Sequence, residues 1–381
     1  SNMDAAEYKH GVLGLIFLKY VSDSFEEKYQ QLVAEGYGDE EDRDEYVADN
    51  IFYVPKEARW SEIQKYATST EIGKVIDNAL EVIEKENDSL KGVLTKNYSR
   101  PELDKTRLGE LVTLFTNIEV GSTAAQEKDV LGRAYEYFLS KFASAEGKLG
   151  GEFYTPSCIV RTLVSMLEPF EGQIFDPACG SGGMLIEAVQ HMNHSSLCCG
   201  SIFGQEKNVV NSAIAKMNLF LHGASDFNIM QGDTLRSPKI LQNGEIAKFD
   251  CVIANPPFSL EKWGSVEWSS DKYGRNVWGT PSDSCGDYAW IQHMVKSMAS
   301  GNGRMAVVMP QGVLFRGNEE GRIREKLVKS DLVEAVVTLG DKLFYGTGLS
   351  PCFLILRRLK PAAHSARVLM IDGTKILTVK R

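Results

Sequence analysis

The sequence is marked first by what it does not contain. Nowhere in its 381 residues is there a stretch approaching the ~18 uncharged apolar residues that a membrane helix needs. The most apolar early segment, Gly11 to Tyr20, is short and interrupted by Lys19. It has neither a basic leader nor a small-residue cleavage site, so no secretory signal is read there and a cytoplasmic location is expected. Cysteine is scarce, and Cys158, Cys179, Cys198, Cys199, Cys251, Cys285 and Cys352 include no CxxC pair. An odd number in a chain this long fits reduced, mostly buried thiols rather than a disulfide framework. GxGxxG and GxxxxGK[ST] are also missing, which excludes the dinucleotide fingerprint and the phosphate-cradling loop. ATP-driven translocation or cleavage is therefore not expected of this chain. Low-complexity tracts are absent, and 43% hydrophobic with 24% charged residues is a composition that buries ordinary cores.

Negative charge is present but confined. Residues 1–150 carry 18 Lys and Arg against 29 Asp and Glu, whereas the remainder carries 24 against 22. The first part is thus at −11 and the second at +2, and the acidic run Asp39 to Glu45 reads as a solvated loop. A long duplex needs a cationic face, so tight DNA binding by this chain alone is not expected.

The hydrophobic pattern divides at nearly the same place. Leu13, Ile16, Phe17, Tyr20 and Val21 recur at helical spacing, as do Ile72, Val75, Ile76, Leu80 and Ile83, and then Leu131, Tyr135 and Leu139. This predicts a helical domain over 1–147. From the glycine-bearing junction Gly147 to Gly151 onward, short β-rich runs alternate with amphipathic segments. Seven strands are expected, over 173–176, 201–205, 227–231, 249–254, 304–309, 332–339 and 352–359. Helices are expected between them, in a domain over 148–381. Such alternation predicts an α/β fold, a mostly parallel, Rossmann-like sheet covered on both faces. Ligands of these sheets bind beyond the carboxyl ends of the strands.

The informative residues fall at those ends. After the first strand comes Asp176-Pro177-Ala178-Cys179-Gly180-Ser181-Gly182-Gly183, whose glycines let a backbone approach a ligand and turn sharply into a helix. The second strand ends in Glu206, 26 residues beyond Gly180, where a carboxylate can accept from two ribose hydroxyls. The third ends in Asp233, placed to accept from an adenine amino group. Together these describe an adenosine-containing cofactor. Asn255-Pro256-Pro257-Phe258 closes the fourth strand. Two prolines stop the ladder and fix the backbone. An Asn amide oxygen and a rigid carbonyl then aim two acceptors at one point, where an exocyclic NH2 could donate to both and attack an electrophilic methyl group. Phe258 supplies a stacking face.

The glycine loop and Asn255 to Phe258 resemble the S-adenosyl-L-methionine and catalytic motifs of amino-group DNA methyltransferases. Gly151-Glu152-Phe153-Tyr154-Thr155-Pro156, with the helical first part and its opening Asp4 to Tyr20, resembles the modification (M) subunit of type I restriction-modification systems. The resemblance covers essentially the whole chain. It implies that Glu152, Phe153, Tyr154, Thr155, Pro156 and Ser157 line the methionine end of the cofactor, with Thr155 as a polar contact. It also implies that Asp176, Gly180, Ser181, Gly182 and Gly183 lie along the cofactor, that Glu206 holds the ribose, and that Asp233 holds the adenine ring. Asn255 and Pro256, with Pro257, would hold the N6 of a target adenine, and Phe258 would stack on it. The implied activity is adenine-N6 methylation of DNA within a type I restriction-modification complex. The implied partners are a specificity (S) subunit, a second M chain and a motor-nuclease (R) subunit, with no membrane.

Three readings stay open beside this one. The same Asn-Pro-Pro-aromatic motif serves methylation of cytosine N4 or of a protein glutamine amide, and a scaffold without turnover could retain the fold. The segment Ser259 to Asp287 interleaves Trp263, Trp268, Tyr273 and Trp278 with Lys262, Lys272 and Arg275. It could stack on and contact nucleic acid, or simply pack its own aromatics. His191, His194, Cys198 and Cys199 lie close together but lack metal-ligand spacing, so no metal is expected.

Overall fold

The computed structural model describes residues 5–36, 39–117, 124–146, 154–168, 172–194, 201–344 and 348–375. The chain divides into two compact units, 1–146 with 216–225, and 147–215 with 226–381.

The first unit is helical: α1 (Ala5–Glu35), α2 (Arg43–Ala48), α3 (Trp60–Gln64), α4 (Ile72–Glu86), α5 (Lys105–Thr116) and α6 (Ala124–Glu146). The residues at helical spacing form its core, with Leu13, Ile16, Phe17, Ile76, Leu80, Tyr135 and Leu139 all buried. Asp104 caps α5 by accepting from the Thr106 and Arg107 amides, as a short acidic side chain does at an N-terminus. Helix α1 passes so close to Tyr98 that a Cβ on Gly14 would collide with its hydroxyl. The acidic run is more than a solvated loop. Asp42 caps α2, Glu41 pairs with Arg59 at 2.8 Å, and the Tyr46 ring stacks on Phe25 at 4.4 Å.

The second unit is an α/β sandwich. Its strands are β1 (Ile174–Asp176), β2 (Ile202–Glu206), β3 (Phe227–Gln231), β4 (Leu241–Gln242), β5 (Glu245–Ile246), β6 (Cys251–Ala254), β7 (Arg304–Pro310), β8 (Val333–Thr338), β9 (Pro351–Arg357) and β10 (Leu369–Asp372). Helix α7 (Ser157–Leu167) precedes them, and α8 (Gly183–His194), α9 (Val209–Leu221, whose residues 216–221 fall in the first unit), α10 (Ser265–Trp268), α11 (Asp287–Ser297) and α12 (Asn318–Lys329) lie between them. Eight strands form one sheet in the order β10-β8-β9-β7-β6-β1-β2-β3, parallel except for β9, which runs against both β7 and β8. All seven expected strands are present. The eighth, β10, is a four-residue edge strand with Leu369 and Met370 exposed, so no buried run announces it. The small hairpin β4–β5 was not foreseen either, although its Asn243-Gly244 turn, both at positive φ, is the usual two-residue hairpin signal.

Two features position the site. Strand β1 leads to β2 on one side while β6 lies on the other, so chain order reverses between β1 and β6 and opens a crevice at their carboxyl ends. Helix α11 is buried nearly all round because residues 259–286 fold over it. In that segment Trp263 and Trp268 pack edge to face at 5.4 Å and Arg275 lies 4.2 Å from the Trp268 ring. Arg275 is itself buried, paired with Asp271 and donating to the Thr234 and Leu235 carbonyls. The self-packing alternative therefore describes Trp263, Trp268, Tyr273 and Arg275.

Candidate active site

The glycine loop after β1 is held by its own backbone. Asp176 is buried and accepts from the Ala178 amide at 2.9 Å. Burial pushes its carboxyl up to about 8, against the pull of that amide and with the Glu206 carboxyl adding to the rise. Gly180 and Gly182 have φ of +54° and +81°, the left-handed region that glycine reaches without strain. A Cβ on Gly182 would meet Ala215 at 3.4 Å, whereas one on Gly183, the first residue of α8, would meet nothing within 4 Å. The loop is thus packed on one side and open on the other, a cradle that only a glycine backbone leaves free. Ser181 is buried within it.

Strand β2 delivers Glu206 to that cradle. One carboxylate oxygen accepts from the Gly180 amide at 3.0 Å and the other from Asn208 at 2.7 Å. Burial raises its pKa, opposed by those amides. Each oxygen keeps a lone pair, so two further donors can still be received. Asp233, after β3, accepts from the Leu235 and Arg236 amides and pairs with Lys207 at 2.9 Å. Thr234 ties this turn to the glycine loop by donating to the Pro177 carbonyl at 2.6 Å.

The end of β6 is built differently. Asn255 donates through Nδ2 to the Thr155 hydroxyl at 2.9 Å, and its Oδ1 is buried with no hydrogen-bond partner. Buried polar atoms are nearly always satisfied, so this acceptor at a strand end is open to a donor, from a ligand or from water. Pro256 is buried and Pro257 half-buried, and the Phe258 ring meets Phe344 edge to face at 5.8 Å. Ser259 follows at φ +51°, and its amide donates to Asp287 at 2.7 Å.

The structure therefore brings Gly180 to Glu206, the Asp233 turn to the glycine loop, and Asn255 to Thr155. Tyr154, Thr155 and Pro156 are half-buried at the entry to α7, and Ser157 is exposed in its first turn. Glu152 and Phe153 lie outside the described residues, as do Cys198, Cys199 and the His194 side chain. Sequence reading missed Asp287 and Arg316. Asp287 is fully buried, takes the Ser259 amide on one oxygen, and on the other receives Arg316 and the Cys285 thiol. Cys285, Asp287 and Glu320 cluster tightly enough to suggest a metal. The Arg316 guanidinium already supplies the positive charge there, lying 2.8 Å from Glu320. No short motif signals this network, because its members lie 28 to 57 residues from Ser259 to Asp287 and Arg316. A cavity of about 480 Å³ lies elsewhere, along β8, β9 and β10, and contains none of these residues.

A sheet whose chain order reverses beside a glycine cradle, with acids at the ends of β2 and β3 and an unpaired amide oxygen after β6, defines a Rossmann-like methyltransferase. A solved methyltransferase subunit of a type I restriction-modification system from Streptococcus thermophilus shares the fold, with a TM-score of 0.84 at 24% identity, over 100% of this chain and 85% of that one. Residues 126–381 match the N-6 DNA methylase family and residues 1–115 the HsdM N-terminal domain. Among curated proteins, the type I restriction enzyme MjaIX methylase subunit of Methanocaldococcus jannaschii is 35% identical over 98% of this chain and 70% of its own length. The HindI methylase subunit of Haemophilus influenzae is 34% identical over 85% of this chain and 76% of its own length. The chain belongs to the N-6 DNA methylase family, as a methylase subunit of the type I restriction-modification kind, and the methyl donor of that family is S-adenosyl-L-methionine.

Among the described residues, no helix is long and apolar enough to cross a membrane.

Proposed function

We propose that this chain is the catalytic subunit that methylates the N6 of adenine in DNA, at sites chosen by a separate specificity subunit. The observation that carries the reading is the buried, partnerless Oδ1 of Asn255 at the carboxyl end of β6. An amino group is the ligand that such an acceptor fits, and the adjoining Pro256 carbonyl offers it a second acceptor.

The residues present suit the donor. The open side of the Gly180–Gly183 cradle accepts a close-lying chain, Glu206 retains lone pairs for two ribose hydroxyls, and Asp233 stands one strand further on for the adenine ring. Asp176, Ser181 and the segment Tyr154 to Ser157 border the same crevice in this reading. When bound, S-adenosyl-L-methionine supplies an electrophilic methyl group. The protein's own part is to hold and orient. The target base must leave the duplex to reach Asn255, at a cost of a few kcal/mol, and the face of Phe258 can repay part of that by stacking. Asn255 Oδ1 and the Pro256 carbonyl would then draw on the two N–H bonds of the amine and turn its lone pair outward. Fixing two reactants in this way is worth about 7–11 kcal/mol without any strong base.

The first unit, at −11 by sequence, suits protein partners better than a phosphate backbone. A specificity subunit, a second M chain and a motor-nuclease subunit are the partners proposed. The test is to co-purify the chain with its neighbouring specificity protein, incubate with labelled S-adenosyl-L-methionine and unmethylated host DNA, and hydrolyse the product to nucleosides. Label in N6-methyladenine is expected. Label in N4-methylcytosine or in protein, or no transfer at all, would reject the assignment.

A further inference from the structure

Thr155 entered the sequence reading as a contact for the methionine end of the cofactor, but its hydroxyl oxygen is already engaged: it accepts from Asn255 Nδ2 at 2.9 Å across 100 residues of chain. We propose that Thr155 is a positioning residue for methyl transfer, whose hydroxyl holds the Asn255 amide so that Oδ1 faces the incoming amine. The inference rests on the methyltransferase reading above.

The reasoning is one of donors and acceptors. The two ends of an Asn amide have nearly the same shape but opposite roles, two donors at nitrogen and two lone pairs at oxygen. The terminal torsion of Asn is broad, so the side chain itself does not choose between them. Only an amide with oxygen outward can receive an amine, because nitrogen outward sets donor against donor. In the structure the Thr155 hydroxyl accepts from the nitrogen and Oδ1 is the end left buried and unpaired. The hydroxyl could also donate to the oxygen, so the incoming amine selects this arrangement, and Thr155 is what keeps the nitrogen satisfied in it. Pro256 and Pro257 fix the backbone on one side of Asn255 but leave its side-chain torsions free, so this restraint must come from outside the motif. Thr155 is well placed to give it. It lies just ahead of α7, whose buried residues Ile159, Val160 and Leu163 anchor the segment. Removing the hydroxyl would leave a buried N–H2 unsatisfied, and the amide would gain by turning or withdrawing.

The experiment uses the complex co-purified with the specificity protein and compares the parent with Thr155→Val, Thr155→Ser and Asn255→Ala. Valine keeps the shape and removes the hydroxyl, while serine keeps the hydroxyl. Three readouts are taken: the single-turnover rate of methyl transfer to unmethylated host DNA, the Kd for S-adenosyl-L-methionine by calorimetry, and the Tm. The expected result is a fall of about 10²-fold in rate for Thr155→Val, as for misplacement of a reacting group. Cofactor Kd should stay within threefold and Thr155→Ser should recover most of the rate. An undiminished rate in Thr155→Val would overturn the inference. So would a loss of rate matched by a loss of cofactor affinity, since the hydroxyl would then serve the cofactor directly. In both cases parent activity and inactive Asn255→Ala would leave the methyltransferase reading standing. A parent complex that forms no N6-methyladenine would sink both.

Discussion

The two halves of the crevice are held in opposite ways. On the β1-β2-β3 side the polar side chains are fixed by amides two or three residues away. Asp176 takes the Ala178 amide, Glu206 takes Asn208, and Asp233 takes Leu235 and Arg236. Longer bonds then tie the strand ends together, Gly180 to Glu206, Lys207 to Asp233, and Thr234 to Pro177 across β2. On the β6 side, Asn255 is held by Thr155 and the amide after Phe258 by Asp287, over 100 and 28 residues. In the proposed reading, the first arrangement is a surface prepared in advance for the cofactor. The second leaves an acceptor unpaired and depends on tertiary structure to aim it.

The largest effect should come from the acceptor itself. Asn255→Ala removes the orphaned oxygen but touches none of the bonds that hold Gly180, Glu206 or Asp233. Methyl transfer by the assembled complex should fall below detection, while the Kd for S-adenosyl-L-methionine changes by less than about threefold. A parallel loss of cofactor affinity would show that the two halves are not separable and would break the comparison.

That contrast also explains what could be read in advance. The glycine loop, Glu206 and Asp233 were legible because strand ends and turns are local: a carboxylate bonding amides two residues on carries its geometry within a short stretch of sequence. Six of the seven strands are legible for the same reason, as largely buried runs between turn residues, whereas β3 buries only Ile229 and is marked by its β-forming residues between turns. The partner of Asn255 was not. Thr155 was assigned to the cofactor by resemblance, and nothing in its neighbourhood points to a residue 100 positions later. Asp287 and Arg316 carry no such signal, because an ion pair between the first residue of α11 and a residue 29 positions later leaves no periodic or spaced signature. The strand β10 escaped for the complementary reason, being too exposed to pattern.

The local side has its own vulnerability, in pH. Asp176 is raised to about 8 by burial, so the folded protein retains a proton that the unfolded chain gives up near its ordinary carboxylate value. The folded state therefore binds more protons between roughly pH 4 and 8, and stability falls as pH rises through that window. Glu206, also raised by burial, acts in the same direction. Asp176→Asn keeps an acceptor for the Ala178 amide and has no charge to bury. Its cofactor-free form should match the parent near pH 4 and gain on it steadily, by on the order of 5 kcal/mol at pH 8, then level off. Urea unfolding across pH 4 to 9 measures this. A constant gap between the two proteins would mean that Asp176 ionises normally.

The long-range side should instead fail by losing a partner. Asp287 is fully buried and receives Ser259, Cys285 and Arg316. Asp287→Ala leaves the guanidinium with Glu320 and the Cys285 sulfur and frees the turn at Ser259, which sits in the left-handed region at φ +51°. Breaking a buried pair from one side costs about 3–5 kcal/mol, and the lower figure suits an Arg316 that remains 29% exposed. Asp287→Asn combined with Arg316→Gln keeps an acceptor for the Ser259 amide and strands only Glu320, whose carboxyl burial already pushes up and which can take a proton, so it should recover most of that stability. The pair then separates two roles of one carboxylate. If the double variant is as stable as the parent and methylates normally, the amide bond to Ser259 is what aims Phe258. If it is stable but slow, the charge on Arg316 also matters to the loop. A single Asp287→Ala that costs less than 1 kcal/mol would show that the exit of the Asn-Pro-Pro-Phe turn is held by the prolines alone, and the β6 side would then be as locally determined as the other.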